Sequence, residues 1–354
     1  MAVDWSRIHA SRSFSALTLP LAACSFFYGL GVRLDRARHH RLGADRLPGL
    51  VVSIGGLTAG GAGKTPAAAA LARWALGRGR QVAVLSRGYG RKRGGPLVVV
   101  SDRDRIRADV AEAGDEPLML AGMLPGVPVV VSRRRSLAGR LARREWGSDF
   151  FILDDGFQHW AVERDLDVVL LDAADPVGNG RLLPWGPLRE PISALERADV
   201  VVLTRSNPDM KGREPADTLL ERFPGLPCVR SMHVPSVVAF PGRGLEHPAG
   251  YLQGRRVAAF CGIAGPGVFR ETLASLGAEV AVFRPFRDHH LFTQADVKEM
   301  VGLFRESGAD ALITTEKDWM RAGAFLAGEQ DAGFLRITME FHSGADVLFD
   351  MIGT

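Results

Sequence analysis

The stretch Leu50-Val-Val-Ser-Ile-Gly-Gly-Leu-Thr-Ala-Gly-Gly-Ala-Gly-Lys-Thr-Pro66 constrains this chain more than any other. Leu50 to Ile54 is an apolar run that reads as a buried strand. Gly55, Gly56, Gly60, Gly61 and Gly63 follow, then Lys64-Thr65, Pro66 and an alanine-rich helical pattern from Ala67 to Leu76. Strand, glycine loop, Lys-Thr and helix is the layout of a phosphate-binding loop. Glycines let the backbone turn tightly, so that several N–H groups converge on one anion. The helix adds its positive N-terminal end. Thr58, Ala59, Gly60, Gly61, Ala62, Gly63, Lys64 and Thr65 are therefore expected to hold the phosphates of ATP or GTP. Lys64 can reach the β- and γ-phosphates, and the Thr65 hydroxyl can ligate Mg2+. The strict pattern G-x-x-x-x-G-K-[ST] requires glycine at position 58, where this chain has Thr58.

At 354 residues the chain is long enough for two domains. With 46% apolar and 24% charged residues it has the composition of a globular protein with a sizeable core. The net charge of +4 suits a phosphate-rich ligand, an anionic membrane surface or nucleic acid. Aromatics are few, and no basic–aromatic interleaving marks a single-strand platform, so no nucleic-acid partner is expected. Cys24, Cys228 and Cys261 are odd in number and far apart, which excludes a disulfide framework or zinc spacing and points to a reducing compartment.

Ser13 to Val32 carries no charge and is mostly apolar, with Phe14, Leu17, Leu19, Leu21, Phe26, Phe27 and Leu30. A bilayer span needs about twenty such residues, but Pro20, Gly29 and Gly31 weaken that reading. The segment is expected to be a membrane-inserted or interfacial anchor helix within residues 1–42. A half-buried helix of the soluble fold is the alternative. Arg33, Arg36, Arg38, Arg41 and Arg46 outnumber Arg7 and Arg12, which puts the C-terminal side in the cytoplasm, where ATP is. Leu21-Ala22-Ala23-Cys24 imitates a lipoprotein cleavage site, but export would part the phosphate loop from its nucleotide.

Candidate strands then alternate with helical patterns: Val82–Ser86, Leu97–Ser101, Val127–Ser132, Phe150–Leu153, Val168–Leu171 and Val200–Leu203, with an arginine-rich helix over Arg133–Trp146. Continuous apolar strands alternating with helices imply an α/β fold with a parallel sheet covered by helices on both faces. Ligands bind at the carboxyl ends of such strands. This core is expected over residues 43–223. Pro224, Pro227, Pro235, Pro241 and Pro248 punctuate a stretch, 224–250, read as a hinge or linker. A second, smaller α/β pattern fills 251–354, with strands at Val257–Cys261, Val280–Phe283 and Ala311–Thr314. Its helices are expected near Pro266–Leu276 and Thr293–Ser307.

Phe150-Phe-Ile-Leu-Asp-Asp-Gly-Phe-Gln-His159 ends an apolar strand in two carboxylates, the way a Walker-B strand delivers acid to Mg2+. Asp154 or Asp155 is expected to bind the metal directly or through water. Asp115, in Gly114-Asp-Glu-Pro117, reads as a helix N-cap on its neighbours alone, and also as a candidate base. Arg189 and Glu190 sit in Gly186-Pro-Leu-Arg-Glu-Pro191, where Arg189 can stabilise transferring charge and Glu190 can sit near the metal. His289 and His290 follow Asp288, and His–Asp pairing is a usual way to tune a base near neutral pH. Thr314-Thr-Glu-Lys-Asp318 ends another strand without an assignable role.

Thr58–Pro66, Ser86-Arg-Gly-Tyr-Gly90, Gly114–Pro117, Asp154-Asp-Gly-Phe-Gln-His159, Gly186–Glu190 and Asp288-His-His290 occur in this order, and together they resemble the tetraacyldisaccharide 4'-kinase family. The resemblance runs from about Ser13 to Asp318. It implies a P-loop kinase at the cytoplasmic face of a bacterial inner membrane, using ATP and Mg2+. The implied reaction phosphorylates the 4'-hydroxyl of an acylated disaccharide 1-phosphate lipid to give lipid IVA, a step of lipid A and so of lipopolysaccharide biosynthesis. It implies Lys64 and Thr65 on nucleotide and metal, Asp154 and Asp155 at the metal, and Asp115 as catalytic carboxylate paired with the histidine matched to His289. Arg189 and Glu190 match the family's active-site pair. Gly56 departs from the family pattern, which often has asparagine there. No obligate protein partner is evident. A membrane-tethered nucleotide switch and a soluble biosynthetic ATPase are the rival readings.

Overall fold

The computed structural model describes residue 9 and residues 18–210, 212–288 and 290–353. The expectations for Phe14, Leu17, Arg7, Arg12 and His289 fall outside the described residues. Thirteen strands form one sheet: β1 (Leu50–Gly56), β2 (Val82–Ser86), β3 (Leu97–Ser101), β4 (Val129–Ser132), β5 (Phe150–Asp154), β6 (Leu166–Asp172), β7 (Val200–Thr204), β8 (Cys228–Phe240), β9 (Leu245–Pro248), β10 (Arg256–Cys261), β11 (Glu279–Pro285), β12 (Ala311–Thr315) and β13 (Ala332–Ser343). The α-helices described are α1 (Leu19–Leu42), α2 (Lys64–Gly77), α3 (Val110–Ala113), α4 (Asp115–Met123), α5 (Arg135–Trp146), α6 (Pro215–Leu220), α7 (Pro266–Ser275), α8 (Gln294–Ser307), α9 (Glu316–Ala322) and α10 (Ala345–Gly353).

The strand order is β11-β10-β12-β13-β8-β7-β6-β1-β5-β2-β4-β3, with β9 beside β8. From β8 to β4 the pairs are parallel, as are those from β11 to β13; β3 is an antiparallel edge. β1, β2, β4, β5, β6, β7, β10 and β12 are buried on both faces, which is why they read as unbroken apolar runs. Val52, Val84 and Ile152 enter one core with α2 and α4, while Val51, Leu85 and Phe151 enter the opposite one with α5. In the C-terminal half Ala259 and Cys261 face one cluster, and Ala258 and Phe260 face another.

Two features differ from expectation. The stretch 224–250 is not an irregular linker: it holds β8 and β9, and β8 pairs antiparallel with β13. Residues Cys228–Arg230 pair with β7 in the N-terminal half, whereas Val237–Phe240 pair with β9 in the other. β13 runs back the opposite way, from β12 to a partner at Arg230. The halves are thus joined by a two-stranded ribbon. Pro235 is accommodated where the ribbon's register shifts, near Ile337.

The other is α1, which continues past Val32 through the arginine-rich stretch to Leu42. Among the described residues no helix is long and apolar enough to cross a membrane. Instead α1 lies on the protein by one face. Ser25 Oγ donates to the Leu182 carbonyl at 2.8 Å and accepts from the Trp185 amide at 3.1 Å. The outward face carries the exposed Leu19, Phe26, Phe27, Leu30 and Leu34, at positions i, i+7, i+8, i+11 and i+15 of one helical side.

Candidate active site

The glycine loop leaves β1 and enters α2 at Gly63, whose φ of +78° is a left-handed conformation at the helix N-cap. A Cβ there would also stand 2.6 Å from Nε2 of His233, on the ribbon. Lys64 is buried, donates from Nζ to the Gly60 carbonyl at 3.2 Å and lies 3.6 Å from the Asp155 carboxylate. Thr65 is buried in the first turn behind it. Thr58 bridges antiparallel to Leu188, flanked by hydrogen bonds from the Ala59 amide to the Pro187 carbonyl and from the Arg189 amide to the Leu57 carbonyl, both 2.7 Å. The departure at position 58 is thus an extended residue that ties the loop to the segment carrying Arg189 and Glu190.

β5 pairs with β1 in register, Ile54 opposite Asp154, so the two acids emerge beside the loop. Asp154 is 1% exposed; Ser86 Oγ donates to its Oδ2 at 2.9 Å, while Oδ1 is buried and has no hydrogen-bond partner among the described residues. Burial, helped by the nearby charges of Glu116 and Asp155, pushes Asp154 up to about 7. Asp155 turns the chain at φ 51°. Burial would raise it too, but Lys64 and Arg189 outweigh that and hold it below the usual carboxylate range. Arg135 fixes the turn from beneath, donating to the Asp154 and Asp155 carbonyls at 3.0 and 3.3 Å.

Gln158 donates from Nε2 to the Gly56 carbonyl (3.1 Å) and to Glu190 Oε1 (3.0 Å). Arg197 also donates to that oxygen, at 3.0 Å, and its guanidinium lies over Phe157 and Trp160. His159 is pushed down to about 3 by burial and the neighbouring arginines, so its ring is neutral. Arg87 is exposed, close enough to act on Arg135 and His159.

Asp115 is not an N-cap. Gly114 holds that position, and Asp115 is the first residue of α4. Gly114 is needed there: its φ is +87°, and a Cβ would stand 2.5 Å from the Tyr89 carbonyl. Asp115 instead accepts at Oδ2 from Arg321 of α9, at Nε (2.6 Å) and Nη2. His290, next to the undescribed His289, bonds Asp296 at 3.1 Å and stacks on Phe286.

Lys64, Thr65, Asp154, Asp155, Arg189 and Glu190, chosen from separate stretches, thus come together at the ends of β1 and β5. Ser86, Arg135, Gln158 and Arg197 join them without having been given a role. Ser86 and Gln158 stood inside the quoted motifs Ser86–Gly90 and Asp154–His159, and Arg135 within an arginine-rich helix whose buried member the sequence does not mark. Among the described residues no three His, Cys, Asp or Glu side chains form a metal cage. Asp154 Oδ1, a buried carboxylate oxygen, and the Thr65 hydroxyl are the groups that could hold a cation whose remaining ligands are phosphate and water. Asp155 is committed to Arg189 and Lys64, and both bonds that Glu190 accepts among the described residues go to Oε1.

A family model described as LpxK, tetraacyldisaccharide-1-P 4'-kinase, matches residues 17–352. A tetraacyldisaccharide 4'-kinase of Anaeromyxobacter dehalogenans is 48% identical over 87% of this chain and 82% of its own length. One from Syntrophus aciditrophicus is 40% identical over 95% of this chain and 92% of its own. A crystal structure of LpxK from Aquifex aeolicus, in complex with ATP, superposes with a TM-score of 0.75 at 32% identity, covering 95% of this chain and 99% of that one.

Proposed function

The chain belongs to the tetraacyldisaccharide 4'-kinase family, and we propose how its site carries out that reaction. The family's reaction is an ATP-dependent phosphorylation in lipid A biosynthesis: the γ-phosphoryl group passes to the 4'-hydroxyl of the tetraacyldisaccharide 1-phosphate. The new bond joins the sugar oxygen to phosphorus, the bond to the bridging oxygen of ADP breaks, and the hydroxyl proton goes to a base.

The loop amides and Lys64 hold the phosphates, and Arg189 spreads the charge of the transferring group. Asp154 Oδ1, Thr65 and the Oε2 edge of Glu190 are the groups for Mg2+, which when bound neutralises phosphate charge. Asp155 keeps Lys64 and Arg189 side by side. Asp115, with His289, takes the proton. The buried, unpartnered Oδ1 of Asp154 beside the glycine loop is the observation that carries this assignment. The β8–β13 ribbon is the hinge about which the two halves close, excluding water during transfer.

The acceptor's acyl chains stay in a bilayer, and α1 brings the site to it. Its outward stripe of Leu19, Phe26, Phe27, Leu30 and Leu34 enters the interface, with Arg33, Arg38 and Arg41 on anionic headgroups. This makes α1 interfacial at the cytoplasmic face of the inner membrane.

The test is transfer of labelled γ-phosphate from ATP to the tetraacyldisaccharide 1-phosphate in mixed micelles. Label in the lipid that vanishes in Asp115→Ala, with nucleotide binding retained, supports the assignment. Loss of nucleotide binding in that variant removes Asp115 from the base role.

A further inference from the structure

Thr315-Glu-Lys-Asp318, left without a role by the sequence, lies where the two halves meet. Thr315 caps α9 and also donates to Asp318 Oδ2 at 2.7 Å. Asp318 is fully buried, and the same oxygen accepts from the Gly262 amide at 2.9 Å. A Cβ on Gly262 would touch Asp318 Oδ1, the Arg287 carbonyl and the His290 side chain at 3.2 to 3.3 Å, so Asp318 is seated against the loop that carries His289. One turn on, Arg321 lies 3.6 Å from Asp318, with its side chain only 4% exposed. From there it reaches across to Asp115 at the start of α4. α9 and α4 pack against each other, and Glu316, also buried, bonds Arg336 of the ribbon at 2.7 Å.

The bond pattern at Asp115 is one-sided. Both Arg321 donors go to Oδ2, and among the described residues Oδ1 accepts nothing. A carboxylate anchored by one oxygen has a fixed orientation and keeps the other free for an incoming hydroxyl.

We propose that Arg321 is a positioning residue for Asp115, acting from the opposite half of the molecule, and that the Thr315–Arg321 segment registers Asp115 against the 287–290 loop as the halves close. The inference rests on Asp115 being the group that receives the acceptor's proton. In this assignment Arg321 acts through Asp115 and not on phosphate or sugar. Its job is to hold one oxygen of a base that belongs to the other half, so that the base is aimed only when the halves are in register.

The experiment is a kinetic cycle on the full-length enzyme with ATP and lipid acceptor, comparing Arg321→Ala, Arg321→Lys, Asp115→Asn and the Arg321→Ala/Asp115→Asn pair. Arg321→Ala is expected to lower kcat about tenfold to a hundredfold, the scale of a misplaced reacting group, with the KM for ATP changed by less than about twofold. Arg321→Lys restores part of the rate, as does guanidinium ion added to Arg321→Ala well below denaturing concentration. In the Asp115→Asn background Arg321→Ala adds nothing, because both act on one step. If Asp115→Asn keeps full activity, the base assignment fails, and this inference with it. If Asp115→Asn is inactive but Arg321→Ala turns over normally, the positioning role alone is overturned. A loss in Arg321→Ala that neither lysine nor guanidinium restores, or that adds in full to Asp115→Asn, overturns it too.

Discussion

Arg189 donates from Nη1 to both carboxylate oxygens of Asp155, at 2.7 Å each. The partners come from separate loops, and the Thr58–Leu188 bridge brings the second loop in. Two adjacent acids are thereby given opposite characters. Asp155 is held ionised by cations, whereas Asp154, whose carboxyl meets a serine hydroxyl and, among the described residues, no cation at bonding distance, is raised by burial. Neighbouring carboxyls pushed apart in this way mark a division of labour: one orders the cations, and the other keeps an oxygen open.

Removing the guanidinium separates these roles. Arg189→Ala is expected to cut kcat by about a hundredfold to a thousandfold, the size of losing one preorganised charge donor. Arg189→Lys is expected to keep part of the contact with Asp155, because a single nitrogen, Nη1, makes both bonds, but to lose the planar donors left over for phosphate. Steady-state kinetics at saturating ATP checks this. An alanine variant with undiminished kcat would sink the charge-spreading role.

Asp154 gives a pH signature. Its folded value is raised from 3.8 to about 7, so between those values the folded chain keeps a proton that the unfolded chain has released. Its contribution to stability therefore falls as pH rises through that window, and the full cost stands above about pH 7. Asp154→Asn removes the cost. Without Mg2+ or nucleotide, its Tm is expected to exceed the parent's at about pH 8, with the gap shrinking toward about pH 4. His159 and His233, pushed down by burial to about 3 and about 4, act in the opposite sense below pH 6.5 but cancel between the two proteins. A Tm difference independent of pH would refute the assignment.

Gly63 should not tolerate a side chain. Gly63→Ala pays the left-handed strain of about 1–2 kcal/mol and drives its Cβ into His233. Adding His233→Ala is expected to recover the clash but not the strain. Urea midpoints of the two variants, with the KM for ATP, measure the split. Full recovery in the double variant would mean that the backbone conformation is not strained.

The outward face of α1 is the lever on membrane binding. Phe26 and Phe27 are 69% and 68% exposed. Phe26→Glu with Phe27→Glu is expected to weaken sedimentation with anionic vesicles at least tenfold, given about 1.5–3 kcal/mol for burying each ring. The KM for ATP should hold. Unchanged vesicle binding would show that α1 does not enter the interface.

Much of this site was written locally. The strand–glycine–Lys-Thr order, the Asp-Asp pair after β5 and the alternation of strands and helices follow from side-chain period and turn chemistry within short windows. The ribbon was not readable, because five prolines between 224 and 248 look like a linker, and the longest pairing of β8 is with a strand about a hundred residues later. The faces of α1 were hidden too. The residue it buries is a serine, Ser25, while its apolar stripe faces outward, so the apolar positions do not mark the side turned to the protein.

Sequence alone determined which groups could bind phosphate and metal, since a backbone turn and its adjacent side chains are set by neighbours in the chain. The tertiary structure decided which of the two acids stays open, which oxygens are already taken, and that Asp115 answers to Arg321, 206 residues away. Burial and ion pairing depend on what distant segments bring to the same few ångströms, and no window of sequence contains that.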